Sequence, residues 1–302
     1  MSANPIQSTP QKLIGLTIPQ EKEKLSFERK KLPILTVQLL NRKITCVTLP
    51  DLIEVIHQAC VDNKKLTVGS YNIHSFNLSM QLPWLYEFLQ SVDIARCDGM
   101  GILKALEFMG LKLPIEYRVS GTRLVPELIE YLNRKGGFSF FLLGAKPKNL
   151  KAALDNCQAQ YPNLKFSGHH GYFDKEDELE NEKIIREINK VKTNILIVGM
   201  GMPLQERWIQ QHRHRLNVNA ILPTGAVIDR LAGNVSDCPE KISNMGLEWL
   251  YRLGREPKRL AARYLLGNPA FALQIALAKS YASTLQIEEL QPITNRTLEV
   301  LK

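Results

Sequence analysis

The chain has 302 residues, 44% of them hydrophobic and 23% charged, which suits a globular protein with room for one large α/β domain and an appendage. Its formal net charge of +9 favours an anionic partner, a demand that nucleic acid, a nucleotide or an acidic lipid surface would each satisfy. Five singly placed cysteines without a Cys-x-x-Cys pair argue against a disulfide framework and a structural zinc, and no run approaches the roughly 20 apolar residues that span a bilayer.

No apolar stretch follows Met1-Ser2-Ala3-Asn4-Pro5, so no secretory leader is expected and the chain is placed in the cytoplasm. Residues 1–31, rich in Gln, Lys, Glu and Ser, read as a flexible tail. An α/β body is expected over 32–245. Its strands are predicted at 34–39, 66–70, 92–96, 138–143, 164–167, 194–198 and 219–222, all short and apolar, most of them ending in Gly, Asn or Asp. Helices are predicted between them at 50–61, with Thr48 as N-cap, then 83–90, 101–109, 121–134, 147–160, 177–190 and 203–215. Continuous apolar strands alternating with helices predict a Rossmann-like, mostly parallel sheet covered by helices on both faces. After Cys238-Pro239 no strand is expected. Residues 246–302 read as a helical appendage of three helices: 246–254, a second from Pro257, and a third at 270–285 beyond Gly267-Asn268-Pro269.

In an open α/β sheet, ligands bind outside the carboxyl ends of the strands. Ser70-Tyr71-Asn72 follows the second predicted strand, Asp98-Gly99-Met100-Gly101 the third, Gly144 the fourth and Thr224-Gly225 the last. The strand 194–198 runs into Gly199-Met200-Gly201-Met202-Pro203-Leu204-Gln205-Glu206, with Pro203 read as the first helical residue. Two glycines before a helix N-terminus offer bare backbone N–H groups to a phosphate, and the helix dipole favours its charge. Asp98 at a strand end can accept a proton from a bound hydroxyl, or it can cap the helix 101–109. A dinucleotide site is disfavoured because Leu204 stands where a third glycine belongs. His212 and His214, two apart on a helix, diverge and are expected in solvent. In the appendage, Arg252, Arg255, Arg259 and Arg263 recur at helical spacing beside Trp249, Leu253, Leu260 and Tyr264, and Arg252, Arg259 and Arg263 have no obvious acidic partners. They read either as a solvated basic face or as a grip on diphosphate and acidic head groups.

With these residues assembled, the sequence resembles the WecG/TagA/CpsF family of bacterial glycosyltransferases. The likeness is carried by Asn72, Asp98-Gly99-Met100-Gly101, Arg118-Val119-Ser120-Gly121, Phe141-Leu142-Leu143-Gly144, Gly171-Tyr172-Phe173, Val198 through Glu206, Leu231-Ala232-Gly233, Leu247 through Leu253 and Glu256-Pro257-Lys258-Arg259. The resemblance implies inverting, metal-independent transfer of a sugar, N-acetylmannosamine or its uronic acid, from a UDP-sugar to an undecaprenyl-diphosphate-linked acceptor at the inner face of the plasma membrane, with no cofactor. It implies Asp98 as general base, with Ser70 and Asn72 lining its pocket. Arg118 and Gln205 would hold substrate, and Arg252, Arg259 and Arg263 would contact diphosphate. The glycine loops, with Gly144, Gly199, Gly201 and the adjoining Glu206, complete the expected binding set. Arg123, Asp237-Cys238-Pro239 and Ala262 depart from the family's usual residues and leave the donor sugar open. Two other readings remain: a nicotinamide-dependent oxidoreductase, and a non-enzymatic basic protein on nucleic acid or membrane. The sequence leaves the oligomeric state open, a homo-oligomer included.

Overall fold

The computed structural model describes residues 32–234, 238–281 and 286–290, the last as backbone only. The expected tail over 1–31 and the Asp237 departure lie outside them. The described strands are β1 (Ile34–Leu39), β2 (Arg42–Cys46), β3 (Leu66–Tyr71), β4 (Ile94–Cys97), β5 (Ser139–Gly144), β6 (Lys165–His169), β7 (Ile195–Gly199), β8 (Ala220–Pro223) and β9 (Gln286–Leu290). They form a sheet in the order β6-β5-β7-β8-β3-β4-β2-β1-β9. Pairing is parallel from β6 to β2 and antiparallel for β2–β1 and β1–β9. β3, β4, β7 and β8 are buried at every residue, as a sheet covered on both faces requires.

Alternation along the strands divides the core. Phe140, Leu142, Ile195, Ile197, Ala220 and Leu222 join one cluster with Leu52, Ile56, Leu128 and Leu150 from the helices Leu49–Val61, Gly121–Lys135 and Pro147–Gln160. A second group of helices, Ile73–Gln81, Pro83–Ser91, Leu204–His212 and Gly267–Ser280, packs together separately. Thr48 caps the first helix as expected, its side chain accepting from the Asp51 N–H. The five cysteines are free thiols.

Several elements differ from the sequence reading. β2 escaped notice because its first two residues, Arg42 and Lys43, are only half-buried; Leu40 and Asn41, both at positive φ, turn β1 back onto it. The helix Ile73–Gln81 is not among the predicted elements. Asn72 caps it, accepting from the Ser75 N–H while the Ser75 hydroxyl accepts from the Asn72 N–H. Pro203 is the N-cap of its helix rather than the first helical residue, and that helix ends at His212 with a 3₁₀ turn over Arg213–Arg215. His212 is buried against Trp208, not in solvent. Two short helices, Val227–Leu231 and Glu240–Asn244, were not foreseen.

The C-terminal segment carries the largest corrections. Gly267-Asn268-Pro269 does not separate two helices. Pro257–Ala261 continues through a π-helical turn at Ala262–Leu266 into Gly267–Ser280, and the widened turn relieves the clash a proline ring makes with the carbonyl four residues back. β9 is a strand where none was expected; it pairs with β1 in the register Ile34↔Leu290. The helices dock on the rest of the chain. Phe271 meets Phe76 edge-on at 5.0 Å, and the Asn77 side chain donates to the Gly267 carbonyl at 2.7 Å. No described helix is long and apolar enough to cross a membrane.

Candidate active site

Residues two apart on a strand share a face, and Arg96 and Asp98 at the end of β4 do so. The Arg96 guanidinium is 2% exposed; its Nη1 lies 3.3 Å from Asp98 Oδ2 and also donates to the Val119 carbonyl. A buried guanidinium needs such partners, and the pair fixes the carboxylate at the mouth of the sheet. Asp98 does not cap the helix Met100–Phe108. Gly99, at φ 110°, holds the cap position without any side-chain bond. The carboxylate is therefore not committed to a helix end.

Asp98 opens onto a cleft of about 150 Å³ between the ends of β3 and β4 and the C-terminal helices. Asn72, His74, Arg118, Trp249, Arg252 and Arg263 are among its lining. Asn72 uses Oδ1 for its cap, so the amide nitrogen is the atom with which it can reach a ligand. Arg118 Nη1 donates to the Ser243 carbonyl at 2.7 Å and its hydroxyl at 3.0 Å; that hydroxyl donates to Glu248 at 3.1 Å. The chain thus ties the β4 side of the cleft to the helix Glu248–Arg255. Arg263 has a buried Nε without a hydrogen-bond partner among the described residues. Burial lowers its proton affinity, against which Tyr264 and Asp98 act. Burial, reinforced by the Arg263 charge, pushes the His74 imidazole down to about 4, so it is neutral in ordinary buffers. Cations and a neutral imidazole around one carboxylate make a site for an anion that also bears a hydroxyl.

A second set of groups lies along the ends of β5, β7 and β8. These loops approach so closely that a Cβ on Gly144 would collide with the Gly199 carbonyl, and one on Gly199 would stand 2.8 Å from the Gly225 carbonyl. Gln205 braces them, its Oε1 accepting from Gly201 N–H at 3.2 Å and Gly225 N–H at 3.1 Å. The rim borders the Asp98 region: a Cβ on Gly121 would stand 3.3 Å from Arg96 Nη2 and 3.7 Å from Thr224 Cβ. On the rim, Asn149 Nδ2 donates to Asp229 at 2.7 Å.

The fold brings Asn72, Asp98, Arg118, Arg252 and Arg263 to one cleft. Ser70, Gly144, Gly199, Gly201, Gln205, Glu206 and Arg259 are not part of its lining. Ser70 is 7% exposed within β3; Gln205 and Glu206 are 3% and 1% exposed and act within the protein. Arg259 does have an acidic partner, contrary to expectation, in Glu256 at 2.6 Å. Arg96, His74 and Ser243 were missed. A charged residue inside the apolar Ile94-Ala95-Arg96-Cys97, two before Asp98, was a readable signal for the first; nothing local marked the other two.

Among the described residues, no group of three or more His, Cys, Asp or Glu side chains comes together to hold a metal ion. The chain is similar to the N-acetylglucosaminyldiphosphoundecaprenol N-acetyl-beta-D-mannosaminyltransferase of Staphylococcus aureus strain MW2, 32% identical over 195 residues that make up 64% of this chain and 72% of that protein. The proteins of the same name from strains NCTC 8325 / PS 47 and COL match over the same shares at the same identity. Residues 37–284 match the glycosyl transferase WecG/TagA/CpsF family. The chain belongs to the WecG/TagA/CpsF family of glycosyl transferases.

Proposed function

We propose that this protein transfers an N-acetylmannosamine-type sugar from a UDP-sugar to a sugar carried on a polyprenyl diphosphate, inverting the anomeric centre and using no divalent cation. The observation that carries this reading is the convergence of Asp98 with Arg118, Arg252 and Arg263 on one cleft. Asp98 takes the proton of the acceptor hydroxyl as its oxygen attacks C1 of the donor sugar from the face opposite the nucleotide. The C1–oxygen bond to UDP breaks, and its electron pair leaves with the diphosphate. Backbone N–H groups and guanidinium cations then take up the developing negative charge, the role a metal fills in other sugar transferases.

The C-terminal helices support a seat for this chemistry at a lipid surface. Gly267–Ser280 is apolar nearly all round, yet Leu273 and Leu277 on it, Leu266 just before it and Tyr281 just after are 61%, 48%, 69% and 81% exposed. Arg255 and Lys258, exposed in the two helices that precede it in the chain, suit an anionic leaflet, where each basic side chain contributes about 1 kcal/mol. A shallow interfacial seat would bring a membrane-anchored acceptor to the cleft.

The test is UDP release from purified protein given a panel of UDP-sugars and a lipid-linked N-acetylglucosamine diphosphate acceptor, with and without excess chelator. The expected result is acceptor-dependent turnover, highest with UDP-N-acetylmannosamine and unchanged by chelator. Turnover with no UDP-sugar of the panel refutes the donor class, and full loss in chelator restored by magnesium refutes the metal-free mechanism.

A further inference from the structure

Glu206 has no place in the chemistry above, yet its carboxyl is 1% exposed and its Oε2 meets no hydrogen-bond partner among the described residues. Burying a carboxyl this way is costly, and burial pushes it up to about 7. What it touches is the Gln205 amide: Gln205 Nε2 donates to Glu206 Oε1 at 2.8 Å. That bond decides which way the amide faces. An amide end presents an oxygen or an NH₂ of nearly equal size. Gly201 and Gly225 each offer an N–H, which only the oxygen can accept, at 3.2 and 3.1 Å. An acceptor on the other side is what holds the NH₂ there. Both glycines sit at positive φ, 84° and 60°, in the loops after β7 and β8, so two tight turns hang from one side-chain oxygen.

We infer that Glu206 is a positioning residue: its carboxyl orients the Gln205 amide, which in turn locks the Gly201 and Gly225 N–H groups and fixes the rim that receives the donor diphosphate. The functional half of this inference rests on the donor reading proposed above; the structural half does not.

The experiment compares Glu206→Met, which removes the acceptor while keeping the side-chain length, with Glu206→Gln, whose amide oxygen can replace it. Hydrogen exchange of the Gly201 and Gly225 amides is read in the full chain, together with UDP affinity and steady-state kinetics. In Glu206→Met both amides should exchange at least about tenfold faster, and the donor KM should rise about tenfold with kcat changed less than about twofold. Glu206→Gln should restore both. If Glu206→Met does not fold, Glu206→Asp withdraws the acceptor by one methylene and should free the same amides. Unchanged exchange in the folded acceptor-withdrawing variant, or a Gln variant as impaired as Met, overturns the positioning role. Wild-type protein that binds no UDP overturns the donor reading alone, and the amide exchange still decides the rest.

Discussion

The glycine rim borders the Asp98 region and the C-terminal helices line its cleft, and the two are built on opposite terms. At the rim Gln205 takes up two backbone N–H groups, and Gly144 and Gly199 are packed with no room for a Cβ. The helices leave Leu266, Leu273, Leu277 and Tyr281 exposed and a buried Arg263 Nε without a partner among the described residues. A rim of that kind is preformed for a small ligand, whereas a surface with unburied leucines gains stability only when something covers it. Under the function proposed above, a soluble donor would meet the first region and a lipid-borne acceptor the second.

The largest expected effect lies between the two regions. Asp98→Asn should lower turnover by roughly 10²–10⁴-fold while UDP affinity stays near wild type. Near-normal turnover would leave Asp98 as a partner of Arg96 and nothing more. On the helices, Phe271→Ala should cost about 3–5 kcal/mol in denaturant unfolding, because the ring is 4% exposed against Phe76, whereas Leu273→Ala two residues on should stay within about 0.5 kcal/mol. Equal losses at both would mean that the exposed face is covered in solution. Changing Leu266, Leu273 and Leu277 together to Ser should weaken binding to anionic vesicles at least about tenfold without altering UDP affinity. Unaltered vesicle binding would remove the lipid-facing role from this helix.

The smallest effect belongs to the rim. The Glu206 carboxyl, raised to about 7 from an ordinary 4.5, keeps a proton in the folded chain that the unfolded chain has released across that interval. Unfolding therefore releases a proton there, and wild-type stability should fall relative to Glu206→Gln as pH rises from 4.5 through 7. Parallel pH profiles for the two proteins would show that the carboxyl titrates normally.

How much of this was legible in the chain follows from what each signal depends on. Strands such as Ile195–Gly199 and helices such as Pro147–Gln160 announce themselves because periodic burial and local caps are encoded by neighbouring residues. β2 and β9 do not. Their pairing with β1 is decided by partners distant in sequence, and the apolar alternation that betrays a strand is blunted in Arg42-Lys43 and in Gln286-Ile287-Glu288-Glu289-Leu290. Asp98, Asn72 and the glycine loops were visible because strand ends followed by glycine or a capping amide are local patterns. The sequence by itself thus determined the α/β order, the carboxyl-edge loops and the carboxylate of Asp98 at one strand end. Only the tertiary structure decided which cations face that carboxylate. Arg96 and Arg118 are 22 residues apart and Arg263 lies 145 residues beyond Arg118, and the fold alone sets Arg96 against Asp98, spends Arg118 on Ser243 and pairs Arg259 with Glu256. Electrostatic partners are chosen by distance in space, and spacing along a helix or strand reports only which residues share a face.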